Sequence, residues 1–304
     1  MNKSLIKNSI IIWAVVLVVA VALLAAFALG GIMKNPFSFS INFGSVGRSD
    51  YVVVKELEVE DNISSFYLDW ISGSVNIEKS TNNTIKIVQT AGENFPDNDL
   101  FKSKVNNGKL TVTDGRKGTI NIGFKVDRGT DITVYLPEKV FDTIDISCVS
   151  SGVSAEDLKA DNFYINTVSG AIRASGEFNV VKLESVSGAI KSDIINGKTG
   201  IFKTTSGGVS VTGDFSDFTM ETVSGGIKAQ LEKIPDKLRS SAVSGKITLI
   251  LPENDGFTMD FSKVSGNLRS DFALTITGNK HVYKNGEARF SVSTVSGNLE
   301  LVKG

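Results

Sequence analysis

The chain of 304 residues is 41% hydrophobic and 21% charged, with 29 glycines against 5 prolines, a composition that supports a sizeable strand-rich core and excludes a disordered polymer. Thirty-two basic residues against 33 acidic ones give a net charge of -1, which excludes the electrostatic footprint of a protein that wraps nucleic acid or binds polyanions generally. A single cysteine, Cys148, rules out an intramolecular disulfide and cannot alone make a zinc site or a redox pair.

In chain order, residues 1–9 form a short tail whose Lys3 and Lys7 have no acidic neighbour, and residues 10–33 run for 24 positions without a charge. At about 1.5 Å per residue such a helix reaches roughly 36 Å, enough for a hydrocarbon core of about 30 Å. The basic bias of the tail puts the N-terminus in the cytoplasm and the chain beyond Met33 outside. A cleavable signal peptide is the competing reading, because Ala26-Phe27-Ala28 has the small-x-small form. The apolar run, however, continues through Leu29, Ile32 and Met33 past that point, which favours an uncleaved signal anchor. Residues 34–50, rich in Ser, Asn, Gly and Phe after Pro36, read as a linker to a domain at 51–304.

A short phrase then recurs through that domain. Val-Ser-Gly or a close variant starts at 149, 168, 186, 205, 223, 243 and 264, steps of 19, 18, 19, 18, 20 and 21 residues, with a last copy at 295 and an early one at Ile71. Constant spacing of this kind means one supersecondary unit per period, each covering the apolar face of the next. Within each unit the apolar alternation changes parity. Phe218, Met220 and Thr222 share one phase, and Val223, Gly225, Ile227 and Ala229 share the other. A parity shift at a fixed place is what a corner produces, so the corner is expected at the Thr/Ser-Val junction, with Val and Gly on the inward face. Ser175-Gly176-Glu177 and Asn196-Gly197-Lys198-Thr199-Gly200 supply bends at the opposite end.

Between the first two copies of the phrase, Thr84–Gln89, Lys109–Thr113, Thr119–Val126 and Asp131–Leu136 alternate as strands around Asn107-Gly108 and Asp114-Gly115. They predict hairpins projecting from the first rungs. Lys280–Arg289, centred on Asn285-Gly286, predicts a further hairpin inserted before the final rung. No helix is expected after Met33.

No residue pattern in the chain matches a catalytic, cofactor or metal site. Ser169, Ser187, Ser206, Ser224, Ser244, Ser265 and Ser296 are equivalent by repeat, whereas a catalytic serine is singular and held against a base; they read as structural. His281, the only histidine, lies between Lys280 and Val282 and reads as an exposed strand residue. Cys148 occupies the position where other units carry Thr, Ser or Trp, and reads as a small buried residue. Glu156, Asp193 and Asp271 each fall seven residues after the first residue of their triplet, but Ser175, Thr212, Gln230 and Ile250 stand there in the units between. These acids therefore predict solvated turns rather than a carboxylate column for catalysis or calcium.

Asp131-Ile132-Thr133-Val134-Tyr135-Leu136-Pro137, the Thr-Val-Ser-Gly series from Thr167 and a second Leu-Pro at Leu251-Pro252 resemble the bacterial putative-adhesin or toastrack domain of the DUF4097 type, found in envelope-stress membrane proteins of the LiaG type. The resemblance covers roughly Ile63 to Lys303. It implies a right-handed β-helix-like fold associated with responses to envelope damage, and it carries no catalytic residues.

The expectation from the whole chain is an all-β solenoid of about 18–20 residues per rung, preceded by one transmembrane helix. Its function is expected to be non-enzymatic binding outside the cell membrane, with the lipid bilayer contacted through residues 10–33 and an envelope protein or cell-wall polymer as partner, without nucleic acid or cofactor. A carbohydrate-active enzyme acting on cell-wall glycans and a passive spacer are the alternatives.

Overall fold

A computed structural model describes residues 50–60, 62–116 and 129–304. The expected membrane span at residues 10–33 and the expected strand Thr119–Val126 lie outside the described residues. Among the described residues no helix is long and apolar enough to cross a membrane, and a short 3-10 turn lies at Asp97–Asp99.

The strands follow the apolar alternation closely. They are β1 (Tyr51–Val59), β2 (Ser65–Lys79), β3 (Ile85–Gly92), β4 (Lys102–Asn106), β5 (Lys109–Thr113), β6 (Thr130–Leu136) and the long β7 (Phe141–Ser169). Then come β8 (Ile172–Ser187), β9 (Ile190–Ser206), β10 (Val209–Ser224), β11 (Ile227–Gln230), β12 (Lys237–Ser244) and β13 (Ile247–Leu251). The chain finishes with β14 (Gly256–Ser265), β15 (Leu268–Ser270), β16 (Thr275–Thr277), β17 (Lys280–Lys284), β18 (Ala288–Ser296) and β19 (Leu299–Lys303). Successive units stack in parallel, with like positions paired. Ser187 stands against Ser206, Ser206 against Ser224 and Ser224 against Ser244.

Each rung buries one apolar row before the corner and another after it. In the unit around Val168 these are Phe163, Ile165 and Thr167, then Ile172, Ala174 and Phe178. Phe163 stacks on Phe178 with ring centroids 4.3 Å apart. Gly200 stands at the position that Phe163 and Phe218 fill in other rungs, and its missing side chain admits the Phe215 ring. Buried rows of this kind supply the main stabilisation, at about 25 cal/mol per Å² of apolar surface.

The parity shift is real, but the corner is wider than the sequence predicts. None of the four residues from Val168 to Ala171 is buried, and the same holds from Val186 to Ala189 and from Val223 to Gly226; Val264 is 65% exposed. The buried Thr167 and the buried Ile172 are five positions apart, an odd step, which is why the alternation changes phase. The triplet is the corner itself, and its Val and Gly do not face the core as expected.

The glycines make the corners stackable. A Cβ on Gly188, Gly207, Gly225, Gly245, Gly297 or Gly266 would fall well inside 3.0 Å of the carbonyl oxygen of Gly170, Gly188, Gly207, Gly225, Gly245 or Gly297 respectively. Gly225 also has a φ of +148, a conformation that disfavours any side chain. Those inward-turned carbonyls need donors, and the buried residue just before the next triplet supplies them. Ser185 Oγ donates to Gly170 O at 3.2 Å, Thr204 Oγ1 to Gly188 O at 3.0 Å and Thr222 Oγ1 to Gly207 O at 3.0 Å. Thr294 and Ala242 depart from this: Thr294 has its Oγ1 buried without a hydrogen-bond partner, and Ala242 carries no hydroxyl.

Both ends depart from sequence order. β5 and β6, expected as projecting hairpins, instead stack in parallel on β2, Leu68 against Val112 and Ile77 against Val134. Together they form a broken rung, and β3 and β1 extend it antiparallel. At this end β4 and β5 make a hairpin, through Asn107 and Gly108 with φ of 49 and 72. The strand expected to follow Asp114-Gly115 lies outside the described residues. Asp114 is buried and accepts from Ile71 N–H at 3.1 Å, while Arg116 donates to Ser72 O at 3.0 Å; these groups cap the corner at Ile71-Ser72-Gly73.

At the other end the expected hairpin across Asn285-Gly286 is not formed, because β17 and β18 lie on opposite edges of β14. β17 pairs antiparallel with β14 and with β16, whereas β18 runs parallel between β14 and β12. The last rung in sequence is therefore the penultimate rung in space.

Candidate functional site

The residues singled out by chemistry are not brought together. The triplet serines form one exposed outer column along the corners, paired across rungs from Ser169 to Ser244, then Ser244 with Ser296 and Ser296 with Ser265. Glu156, Asp193 and Asp271 are all exposed. Asp193 pairs in register with Ser175 on one side and Thr212 on the other, and Asp271 caps Lys303 N–H at 3.3 Å at the far end. No group of three or more His, Cys, Asp or Glu residues able to hold a metal occurs among the described residues.

His281 is buried, 7% exposed, rather than an exposed strand residue. Its Nδ1 lies 3.1 Å from Asn279 O and its ring meets Phe261 edge-on at 6.1 Å. The alternation around Lys280 and Tyr283 is too short to show which side of a capping strand faces inward. Cys148 is buried as expected, and loss of hydration pushes its thiol up to about 12, which keeps it protonated and inert at neutral pH.

Two polar clusters were not anticipated. Glu253 accepts from Lys284 Nζ at 2.6 Å, from Tyr283 Oη and from Lys303 Nζ at 3.0 Å, and these donors, Lys284 foremost, pull its carboxyl down to about 2. The cluster pins β17 and β19 to the loop after β13. Asp145, on the outer face beside Tyr67, is more than half buried, and desolvation raises its pKa despite Lys109 and Lys182 nearby.

What repetition does build is outward columns. Before the corner the outer face is self-neutralised, with Lys182 on Glu184 at 2.9 Å and Lys203 on Glu221 at 3.0 Å. After the corner, Arg173, Lys191, Ser210 and Lys228 stack in register on four consecutive rungs and are all exposed. No carboxylate among the described residues is ion-paired with these three cations. On the corner side Ala171, Ala189, Gly208 and Gly226 run alongside, and on the other Ser175, Asp193, Thr212 and Gln230. In register the column passes from Lys228 to the uncharged Thr248 and then to Glu300, which is ion-paired with Lys246 at 2.6 Å.

A family model described as Toastrack DUF4097 matches residues 63–302. The chain belongs to this toastrack family. Among solved structures, this toastrack chain resembles a putative lipid binding protein from Parabacteroides distasonis, at 17% identity and a TM-score of 0.50, covering 84% of this chain and 98% of that one. A putative adhesin from Bacteroides fragilis matches at 14% identity and a TM-score of 0.38, over 82% and 98% of the two chains. A putative cell adhesion protein from Clostridium sporogenes matches at 12% identity and 0.30, over 82% and 99%. A search of curated proteins finds no match. At 17% identity the likeness to the lipid binding protein speaks to the fold and not to a ligand.

Proposed function

We propose that this toastrack protein is a non-enzymatic binding module held outside the cell membrane by residues 10–33, and that its stack is a right-handed β-solenoid presenting an envelope polymer or protein to its outward columns. The observation that carries this reading is that the stacked rungs bring outward positions into register, most uniformly in the exposed serine column from Ser169 through Ser244 to Ser296 and Ser265. Repetition of that kind suits an extended partner, whereas a catalytic centre needs unlike groups converging on one point. The names of the structural neighbours, adhesins and a lipid binding protein, agree with binding rather than turnover.

Protease shaving of intact cells tests the placement, with loss of the domain at 51–304 expected before lysis; protection until lysis refutes it. Crosslinking under envelope stress, followed by capture of the chain, is expected to return an envelope component, and a bare chain would point to a spacer.

A further inference from the structure

We infer that the Arg173, Lys191, Ser210 and Lys228 column is a docking track for a linear polyol-phosphodiester polymer. The inference rests on the outside placement proposed above and names the partner's chemistry. Neighbouring rungs lie about 4.8 Å apart, so Arg173 and Lys191 stand about 5 Å apart and Lys191 and Lys228 about 10 Å apart. They form a line of positive charge on a chain whose net charge is -1. The three cations are exposed and without ion pairs among the described residues, in contrast to Lys182 and Lys203, which are held by Glu184 and Glu221.

The surroundings select the form of the anion. The small residues from Ala171 to Gly226 leave the backbone beside the column uncovered, a shelf on which a thread can lie against the cations, and Ser210 fills the uncharged rung with a hydroxyl. Asp193 flanks the other side, so a broad anionic plane such as a membrane would meet a carboxylate, while a single thread along the column avoids it. No aromatic side chain occurs in the column or in either row beside it. Single-stranded nucleic acid, which relies on base stacking, is therefore the poorer fit, and the polyol backbone can use the serine hydroxyls.

The test uses the full chain in detergent micelles and poly(glycerol phosphate) as the probe, with binding followed across a salt series. Binding that weakens as salt rises is expected, and the Arg173→Gln/Lys191→Gln/Lys228→Gln triple variant is expected to lose about tenfold or more in affinity with a shallower salt dependence. The Lys182→Gln/Lys203→Gln variant should stay within about twofold of the parent, because those charges are already neutralised. The cations are exposed, so a thermal melt matching the parent verifies that each variant is folded. The proposal is overturned if the parent does not bind, if the triple variant binds like the parent, or if both variants weaken equally. It also falls if phosphatidylglycerol vesicles, which carry the same headgroup chemistry in a plane, or a single-stranded oligonucleotide compete better than the polymer. A parent that fails to bind while the domain is shaved from intact cells would remove the track and leave the outside module standing.

Discussion

Trp70 Nε1 donates to the carbonyl oxygen of Thr130 at 3.3 Å, and Gly73 is packed against that same carbonyl. The pair reproduces, with an indole, what Thr222 and Gly207 do with a hydroxyl three rungs into the regular stack. In both cases the close approach of a glycine turns a carbonyl away from the ladder, and the buried residue before the triplet satisfies it. A buried acceptor left without a donor costs about 1–3 kcal/mol, so the polar character of this otherwise apolar row has a defined cause.

Trp70→Phe, which keeps the ring in its fully buried place and removes the N–H, is expected to lower unfolding stability by about 1–2 kcal/mol in urea titration. Ala242, which stands in register with Thr222 and Thr294, offers no donor to its corner. Ala242→Ser is expected to gain up to about 1 kcal/mol in the same titration, and a loss would show that the hydroxyl does not reach the Gly225 carbonyl.

Gly225→Ala places a Cβ on the Gly207 carbonyl at a backbone φ of +148. Overpacking and backbone strain together are expected to cost about 3–5 kcal/mol, seen as a lowered denaturation midpoint. Gly92→Ala, where nothing lies within 4 Å of the added atom, is expected to change the midpoint by less than about 0.5 kcal/mol.

The intercalated strand β18 has hydrogen-bonded neighbours on both edges, β12 and β14, although it lies near the end of the sequence. Native-state amide exchange is expected to place Val292 among the best protected residues, while Ile276 in the exposed edge strand β16 exchanges fast. Equal exchange of the two would mean that the last rung is not held between its neighbours.

Glu253 has a folded-state pKa depressed from 4.5 to about 2 by Lys284, Tyr283 and Lys303. A depressed carboxyl stabilises the folded state above its unfolded pKa, and that contribution is lost as pH falls from about 4.5 towards 2. Glu253→Gln should therefore flatten the pH dependence of thermal melting in that window; a variant that tracks the parent's curve would show that the cluster does not hold β17. The effect is expected to shrink in salt, since the group is exposed.

Local sequence determined the period, the strands, the phase change at each corner and the exposure of the triplet serines, because alternation and glycine placement are set by each rung alone. The cations at 173, 191 and 228 are visible in the sequence too, but their lack of ion pairs depends on which carboxylates the neighbouring rungs bring near. The inward burial of His281, the parallel docking of β5 and β6 on β2, and the corner caps at Asp114 and Arg116 needed the tertiary structure. So did the order of the last two rungs. Val264 comes 21 residues after Val243, a spacing that suits direct stacking, yet β18 takes that place. Equivalent rungs present equivalent edges, so pairing preference between them is nearly degenerate in sequence. The choice was made by what could cover the final edge, and in this chain that cover is the antiparallel strand β17 on β14.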